Sequence, residues 1–304
     1  MRLGTRGSAL ALVQSGMVRD HLRALGADVE LVTIRTEGDR LVDRRLADVG
    51  GKGLFVKEIE DALLDRRIDI AVHSLKDLPA DVPAGLTMAA YPAREDPRDV
   101  LVTRNGARLD TLPPGARVGT SSPRRRALLL AVRADLRVES LRGNVDTRLR
   151  KLEAGEWDAI VLAAAGVRRL GLHIAHATPL DPETFVPAVG QGILGLEARA
   201  DDAATLAWLG KLDDADARAC AEAERAYLAR LGASCVTPMA AHARLSHDRI
   251  DIAGVVASED GRQVLRASLG GARADAARLG RELADRLLDD GAAAITPLHP
   301  EARG

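Results

Sequence analysis

Short β-rich runs alternate with helical patterns through the first two-thirds of this chain, and such alternation builds parallel sheets from βαβ units. Arg2–Thr5, Val29–Arg35 and Ile68–Ser74 read as strands, with helical spacing over Ser8–Leu25 and Phe55–Arg66 between them. Leu86–Ala90 and Val100–Thr103 add strands around a Pro- and Asp-rich stretch, Tyr91–Asp99, which marks a domain boundary. A second series follows. Arg117–Thr120, Arg137–Leu141 and Ala159–Ala164 read as strands, Pro123–Val132 and Val145–Ala154 as helices. Ser122 and Asn144 stand at N-cap positions, and Pro123 takes the first helical position. Thr184–Gly195, rich in Gly and Pro, reads as a return crossing. Ala203–Leu209 reads as a helix that packs on the first domain.

After Asp214 the character changes. Ala217–Leu231 is an amphipathic helix. Ala240–Leu245, Arg249–Ser258 and Gln263–Leu269 read as a three-stranded antiparallel meander, and Arg273–Asp289 as a closing helix with an apolar stripe. With 304 residues, two or three domains are expected.

In open parallel sheets, ligands bind beyond the carboxyl ends of the strands. Those ends carry Thr5-Arg6-Gly7-Ser8, Leu75-Lys76-Asp77-Leu78-Pro79, Gly119 through Arg126, Arg142-Gly143-Asn144, and Gly166 with Arg168-Arg169. Nearly every one delivers an arginine, a hydroxyl or a capped helix start, and helix starts favour anions. Residues 117–150 hold nine arginines against three acids, a net +6 in a chain whose formal charge is -1. A basic second domain against a more acidic remainder implies an anionic ligand between them. The plain alternative is a solvated basic surface, preferred for Arg133, Arg137 and Arg150. Ligand contact is favoured for Arg124, Arg125, Arg142 and Arg148. Neither Gly50-Gly51-Lys52-Gly53 nor Gly190-Gln191-Gly192 is a phosphate loop or a dinucleotide fingerprint. Carboxylates, which pair edge-on with guanidinium, suit the site better.

Asp77 is a lone carboxylate among these cations, fit to stabilise a cation forming in a reaction or to guide a proton. The commoner fate of such a residue is a loop cap or a salt bridge. His73, inside a buried strand, reads as a satisfied core histidine. Cys235 lies in a loop between Gly232 and Pro238, a weak signal by itself. Cys220 and Cys235 form no disulfide framework, and no CxxC, HExxH or His/Cys cluster offers a metal site. Six aromatic residues and near-neutral charge argue against nucleic-acid binding. No targeting or membrane segment is visible, and a reducing cytoplasm is expected.

Taken in order, these motifs resemble the porphobilinogen deaminase family, also called hydroxymethylbilane synthases, essentially end to end. The carriers include Thr5-Arg6-Gly7-Ser8, Val49 through Glu58, Ala71-Val72-His73-Ser74-Leu75-Lys76-Asp77-Leu78-Pro79 and Glu95-Asp96-Pro97-Arg98-Asp99. Further carriers are Gly119-Thr120-Ser121-Ser122 with Arg124-Arg125, Ser140 through Val145, and Pro187 through Gly192.

The resemblance implies an α/β fold of two periplasmic-binding-protein-like βα lobes plus a small C-terminal α+β domain with a three-stranded antiparallel sheet. The expected domains are 1–93 with 193–212, 98–188, and 215–304. It implies a transferase that condenses four porphobilinogen molecules head to tail, releasing ammonia, on a covalent dipyrromethane primer. Cys235 maps to the attachment point and Asp77 to the catalytic aspartate. Lys76, Ser122, Arg124, Arg125 and Arg148 map to cofactor contacts. Arg6, Ser8, Lys52, Arg142, Arg169 and Gln191 map to substrate contacts, and Phe55 to an active-site loop. No metal or nucleotide is implied, and a cytoplasmic monomer is expected. Two departures stand out: Asp48 where relatives commonly carry lysine, and Ser234-Cys235-Val236 in place of Gly-Cys-Gln. The competing expectation is a non-catalytic bilobal binding protein for a polycarboxylate.

Overall fold

A computed structural model describes residues 1–34, 56–234 and 237–298. They fall into two compact units, residues 1–95 with 193–218 and residues 96–192 with 219–304. In chain order the first stretch holds β1 (Arg2–Thr5), α1 (Ala9–Ala24), β2 (Glu30–Thr33), α2 (Lys57–Leu64), β3 (Ile70–Ser74) and β4 (Leu86–Ala90). Next come β5 (Asp99–Thr103), β6 (Arg117–Gly119), α3 (Pro123–Val132), β7 (Arg137–Glu139), α4 (Val145–Glu153), β8 (Ala159–Ala163), α5 (Ala164–Arg169) and β9 (Ala177–Pro179). The remainder holds β10 (Leu194–Arg199), α6 (Ala203–Leu209), α7 (Ala215–Leu231), β11 (Met239–Ser246), β12 (Arg249–Ala257), β13 (Val264–Ala272), α8 (Ala276–Asp289) and α9 (Ala292–Ile295).

The first unit is built on a sheet of order β2-β1-β3-β10-β4. β1 runs parallel to β2 and β3, whereas β10 is antiparallel to both its neighbours. Successive strand residues point to opposite faces. Val72 accordingly packs with Val18 and Leu22 of α1, while Ala71 packs with Ile59, Ala62 and Leu63 of α2. Helices on both faces explain why β3 reads as a continuous apolar run.

The second unit repeats the plan. Its five-stranded sheet has the order β7-β6-β8-β5-β9, again with one antiparallel strand, β5, inserted beside the third parallel strand. Leu101, Val118 and Val161 pack with Leu128 and Leu129 of α3, and Val102 and Ile160 with Leu152 and Trp157 on the other side. The same unit holds the meander β11-β12-β13. Its helix-facing side meets Leu279 and Leu283 of α8, both buried.

The expected α/β lobes and C-terminal three-stranded sheet are present. α6 packs on β10 and β4, as its position in the first unit requires. Several elements depart from expectation, among them β9, α5 and α9, which form where no strand or helix is expected. β10 follows the crossing at Thr184–Gly195, where no strand is expected, because Glu197 and Arg199 break its apolar run. All six of its residues are buried, and both charges have partners inside the unit. Arg273–Asp275 forms a 3₁₀ turn, so the closing helix begins only at Ala276.

Gly280 is where α8 lies closest to α7: a Cβ there would fall 2.0 Å from the Ala223 carbonyl oxygen. Gly280→Ala must push two backbones apart, and we expect a loss of about 1–3 kcal/mol in chemical denaturation. An unchanged midpoint would contradict this packing.

Candidate functional site

In the first unit, the carboxyl ends of β1 and β3 open onto a small cavity of about 80 Å³. Arg6, Ser8, Gln14, His73, Ser74 and Asp77 line it. Ser8 caps α1, accepting a hydrogen bond from the Ala11 amide at 3.3 Å. Gln14 and Ser74 are hydrogen-bonded, with the amide nitrogen 2.9 Å from the hydroxyl. Asp77 ends a single 3₁₀ turn, Leu75–Asp77, that leaves β3 directly. Its side chain is exposed, and Lys76 beside it is half-buried. His73 is a partnered core histidine, as its place in the strand suggests: Nε2 lies 2.9 Å from Glu197 Oε2.

The second unit gathers the arginines. Asp99, fully buried at the head of β5, takes an ion pair from Arg124 at 2.8 Å and from Arg125 at 2.7 Å. Arg124 also donates to the Val186 carbonyl, and Arg125 to that of Val161. Gln191 donates its amide to Asp99 Oδ1 at 3.0 Å and to the Pro97 carbonyl at 2.6 Å. Ser122 caps α3 and accepts from the Arg125 amide, which fixes where both guanidiniums start. Arg148 donates to the Gly143 carbonyl at 2.8 Å from the first turn of α4, capped by Asn144. Arg142 is half-buried beyond β7, and Arg169 reaches the Gly192 carbonyl at 2.7 Å.

Electrostatics separates these groups. Burial alone would push the Asp99 carboxyl up, but Arg124 and Arg125 overcome it and hold it far below the ordinary range. Arg148 is pulled down to about 10, first by burial and then by repulsion from Arg125. Arg124 and Arg125 share the Asp99 carboxylate, and Arg148, which feels the charge of Arg125, has no carboxylate partner among the described residues. That buried excess of positive charge is what a carboxylate ligand would neutralise. It fits a dipyrromethane, whose two pyrrole units both carry carboxylates.

Residues 1–207 match the family model described as "Porphobilinogen deaminase, dipyromethane cofactor binding domain", and residues 218–289 match "Porphobilinogen deaminase, C-terminal domain". The porphobilinogen deaminase of Syntrophobacter fumaroxidans is 51% identical over 297 residues, covering 97% of this chain and 96% of that one. That of Roseiflexus sp. is 52% identical over 295 residues, covering 96% of this chain and 97% of that one. The chain belongs to the porphobilinogen deaminase family. Among solved structures it is similar to a periplasmic substrate-binding protein from Coxiella burnetii, with a TM-score of 0.43 and 17% identity over 70% of this chain and 91% of that one.

Of the positions mapped from the porphobilinogen deaminase pattern, Arg6, Ser8 and Asp77 share the first unit's cavity. Ser122, Arg124, Arg125 and Gln191 gather about Asp99. Lys52, Phe55 and Cys235 lie outside the described residues. Asp99 itself is absent from the expected site, although it stands inside the Glu95–Asp99 motif. An acid heading the buried run Val100–Val102 was the available signal. Among the described residues no helix is long and apolar enough to cross a membrane, and no group of His, Cys, Asp or Glu could hold a metal.

Asp99→Asn leaves two buried guanidiniums without their carboxylate. We expect a loss of about 3–5 kcal/mol in urea denaturation at pH 7. Because the folded carboxyl titrates below its unfolded value of about 3.9, this contribution is present at neutral pH. It disappears only as the solution is acidified below that value. A wild-type midpoint for Asp99→Asn would contradict the ion-pair reading.

Proposed function

We propose that this chain condenses four porphobilinogen molecules head to tail into hydroxymethylbilane, releasing ammonia at each step. The observation that carries the reading is that Arg124 and Arg125 share the one carboxylate of Asp99 while Arg148, repelled by Arg125, has no carboxylate partner among the described residues. A growing pyrrole chain accumulates carboxylates, and fixed guanidiniums with few internal counter-charges suit it. When bound through Cys235, the dipyrromethane supplies the free pyrrole carbon that is extended.

The chain's own residues then have distinct tasks. Arg124, Arg125 and Arg148, with Lys76 and the Ser122 hydroxyl, hold the carboxylates of the cofactor. Arg6, Ser8, Lys52, Arg142, Arg169 and Gln191 hold those of incoming substrate. Asp77 faces no comparable demand for binding an anion. Its fixed negative charge stabilises the cationic pyrroles that form when ammonia departs and the new carbon–carbon bond closes. The working division is three domains, 1–93 with 193–212, 98–188 and 215–304, the last carrying Cys235. The protein works as a cytoplasmic monomer, without nucleic acid, metal or nucleotide.

Incubation with porphobilinogen and an ammonia assay tests the reading. Ammonia should appear together with a linear tetrapyrrole. Binding without ammonia would favour a non-catalytic polycarboxylate-binding protein. Asp77→Ala should lower kcat by at least about 100-fold while the thermal midpoint stays near wild type. Full turnover in that variant would remove the role assigned to Asp77.

A further inference from the structure

One face of the meander β11-β12-β13 lies on α8. The other opens into a groove of about 640 Å³, closed on its far side by Pro182, Glu183 and Val186. That volume falls within the roughly 300–1,000 Å³ usual for ligand clefts. Strand register explains the shape, since residues directly opposite one another share a face. His242 pairs with Ala253 and Ala253 with Ser268. One row on, Arg244 pairs with Asp251 and Asp251 with Gly270. The floor is therefore made of small residues, and the long side chains of Arg244, Arg249 and Arg266 stand around it. The Arg249–Asp251 ion pair, 2.9 Å long, lies across Gly270.

Charge in the groove is unevenly matched. Asp251 is taken by Arg249, and Glu183 meets Arg244 only at 3.9 Å, with both side chains largely exposed. Arg266 has no carboxylate partner among the described residues. It donates to the carbonyls of Glu183 at 3.1 Å and Thr184 at 2.8 Å, and burial pulls its pKa below the ordinary arginine value. Those bonds fix the fork while using two of its five N–H donors. His242 supplies a different contact. Its side chain is 8% exposed and lies beside the fully buried Glu224 of α7. Glu224 accepts from the Gly190 amide at 2.6 Å and the Ala243 amide at 2.8 Å. Its Oε1 faces His242 Nδ1 at 3.6 Å, and Nδ1 is shut away from water without a hydrogen bond. An acceptor on that side places the imidazole proton on Nδ1. Nε2 is then the acceptor that the ring shows to the groove.

We propose that this groove binds a small polycarboxylate carrying a hydroxyl, with its carboxylates on Arg266 and Arg244 and its hydroxyl donating to His242 Nε2. Charge selects the carboxylates, which pair edge-on with guanidinium, and a half-buried Arg266 without a counter-charge benefits most from one. The histidine selects the hydroxyl, because an acceptor facing a bare carboxylate makes no hydrogen bond. Spacing selects a ligand of several carbons. His242 on β11 and Arg266 on β13 stand two strand spacings apart, about 10 Å, too far for a single carboxylate to touch both backbones' side chains without a linking chain. The site is separate from the Arg124, Arg125 and Arg148 cluster, none of which lines it. It does not depend on the condensation reading.

Isothermal titration of the protein as purified tests the site. Citrate is the probe, and tricarballylate, the same tricarboxylate without its hydroxyl, is the control. Citrate should bind one to one with a Kd of about 1 mM or below. Tricarballylate should bind about tenfold more weakly, the effect of one missing hydrogen bond. Arg266→Gln should weaken citrate at least about tenfold. His242→Leu should erase most of the preference for citrate over tricarballylate. Ser268→Leu fills the floor without changing any charge, and it should weaken both ligands alike. Arg148→Gln, in the other cluster, should leave citrate binding unmoved. No binding by the wild type at about 10 mM citrate overturns the proposal. So does wild-type affinity in Arg266→Gln and Ser268→Leu, or a loss confined to Arg148→Gln. Equal affinity of the wild type for citrate and tricarballylate overturns the contact assigned to His242. Should Arg266→Gln or His242→Leu not fold, the weakened or unchanged binding of Ser268→Leu decides the matter.

Discussion

Asp99 receives two guanidiniums and an amide while shut away from water, and the second unit is organised around that carboxylate. Removing an ion from water costs several kcal/mol, recovered only where geometry is good and the remaining donors are satisfied. Here they are: Arg124 and Arg125 spend their other N–H groups on the Val186 and Val161 carbonyls, and Gln191 bridges Asp99 to Pro97. The cluster ties the head of β5 to the start of α3, to β8 and to the return crossing. Each guanidinium is fixed before any ligand arrives, so little ordering entropy remains to be lost on binding.

The same cluster sets the electrostatics of ligand choice. Asp99 is already shared by Arg124 and Arg125, and Arg148 is pulled down by burial and by repulsion from Arg125 with no carboxylate partner among the described residues. Adding a ligand carboxylate relieves that imbalance, whereas a neutral ligand leaves it. In the first unit the cavity near Asp77 is small and lined by Arg6, by hydroxyl, amide and imidazole groups, and by the Asp77 carboxylate, to which the proposed function gives the stabilisation of cations. On that proposal the binding of anions and the stabilisation of cations fall to different side chains.

Much of this was legible in the sequence. Apolar runs punctuated by capping residues gave away both parallel series, and Ser122, Pro123 and Asn144 fixed two helix starts. Arginines at strand ends announced an anion site. What stayed hidden was buried charge. β10 escapes a hydropathy reading because Glu197 and Arg199 interrupt it, and only the folded unit supplies His73, Asp69 and Asp202 as their partners. Asp99 escapes for the same reason. Its partners lie 25 and 26 residues away, a separation that no local pattern encodes. In the sequence Arg124 and Arg125 point only to a ligand, and no local pattern shows that they also clamp an acid.

Mass spectrometry of the intact, denatured protein bears most directly on whether the chain carries its own primer. The protein as purified in active form should be heavier than its sequence by two linked pyrrole units. Digestion should place that mass on the peptide containing Cys235, and Cys235→Ser should lack it. An active preparation whose mass is that of the bare sequence would contradict the reading.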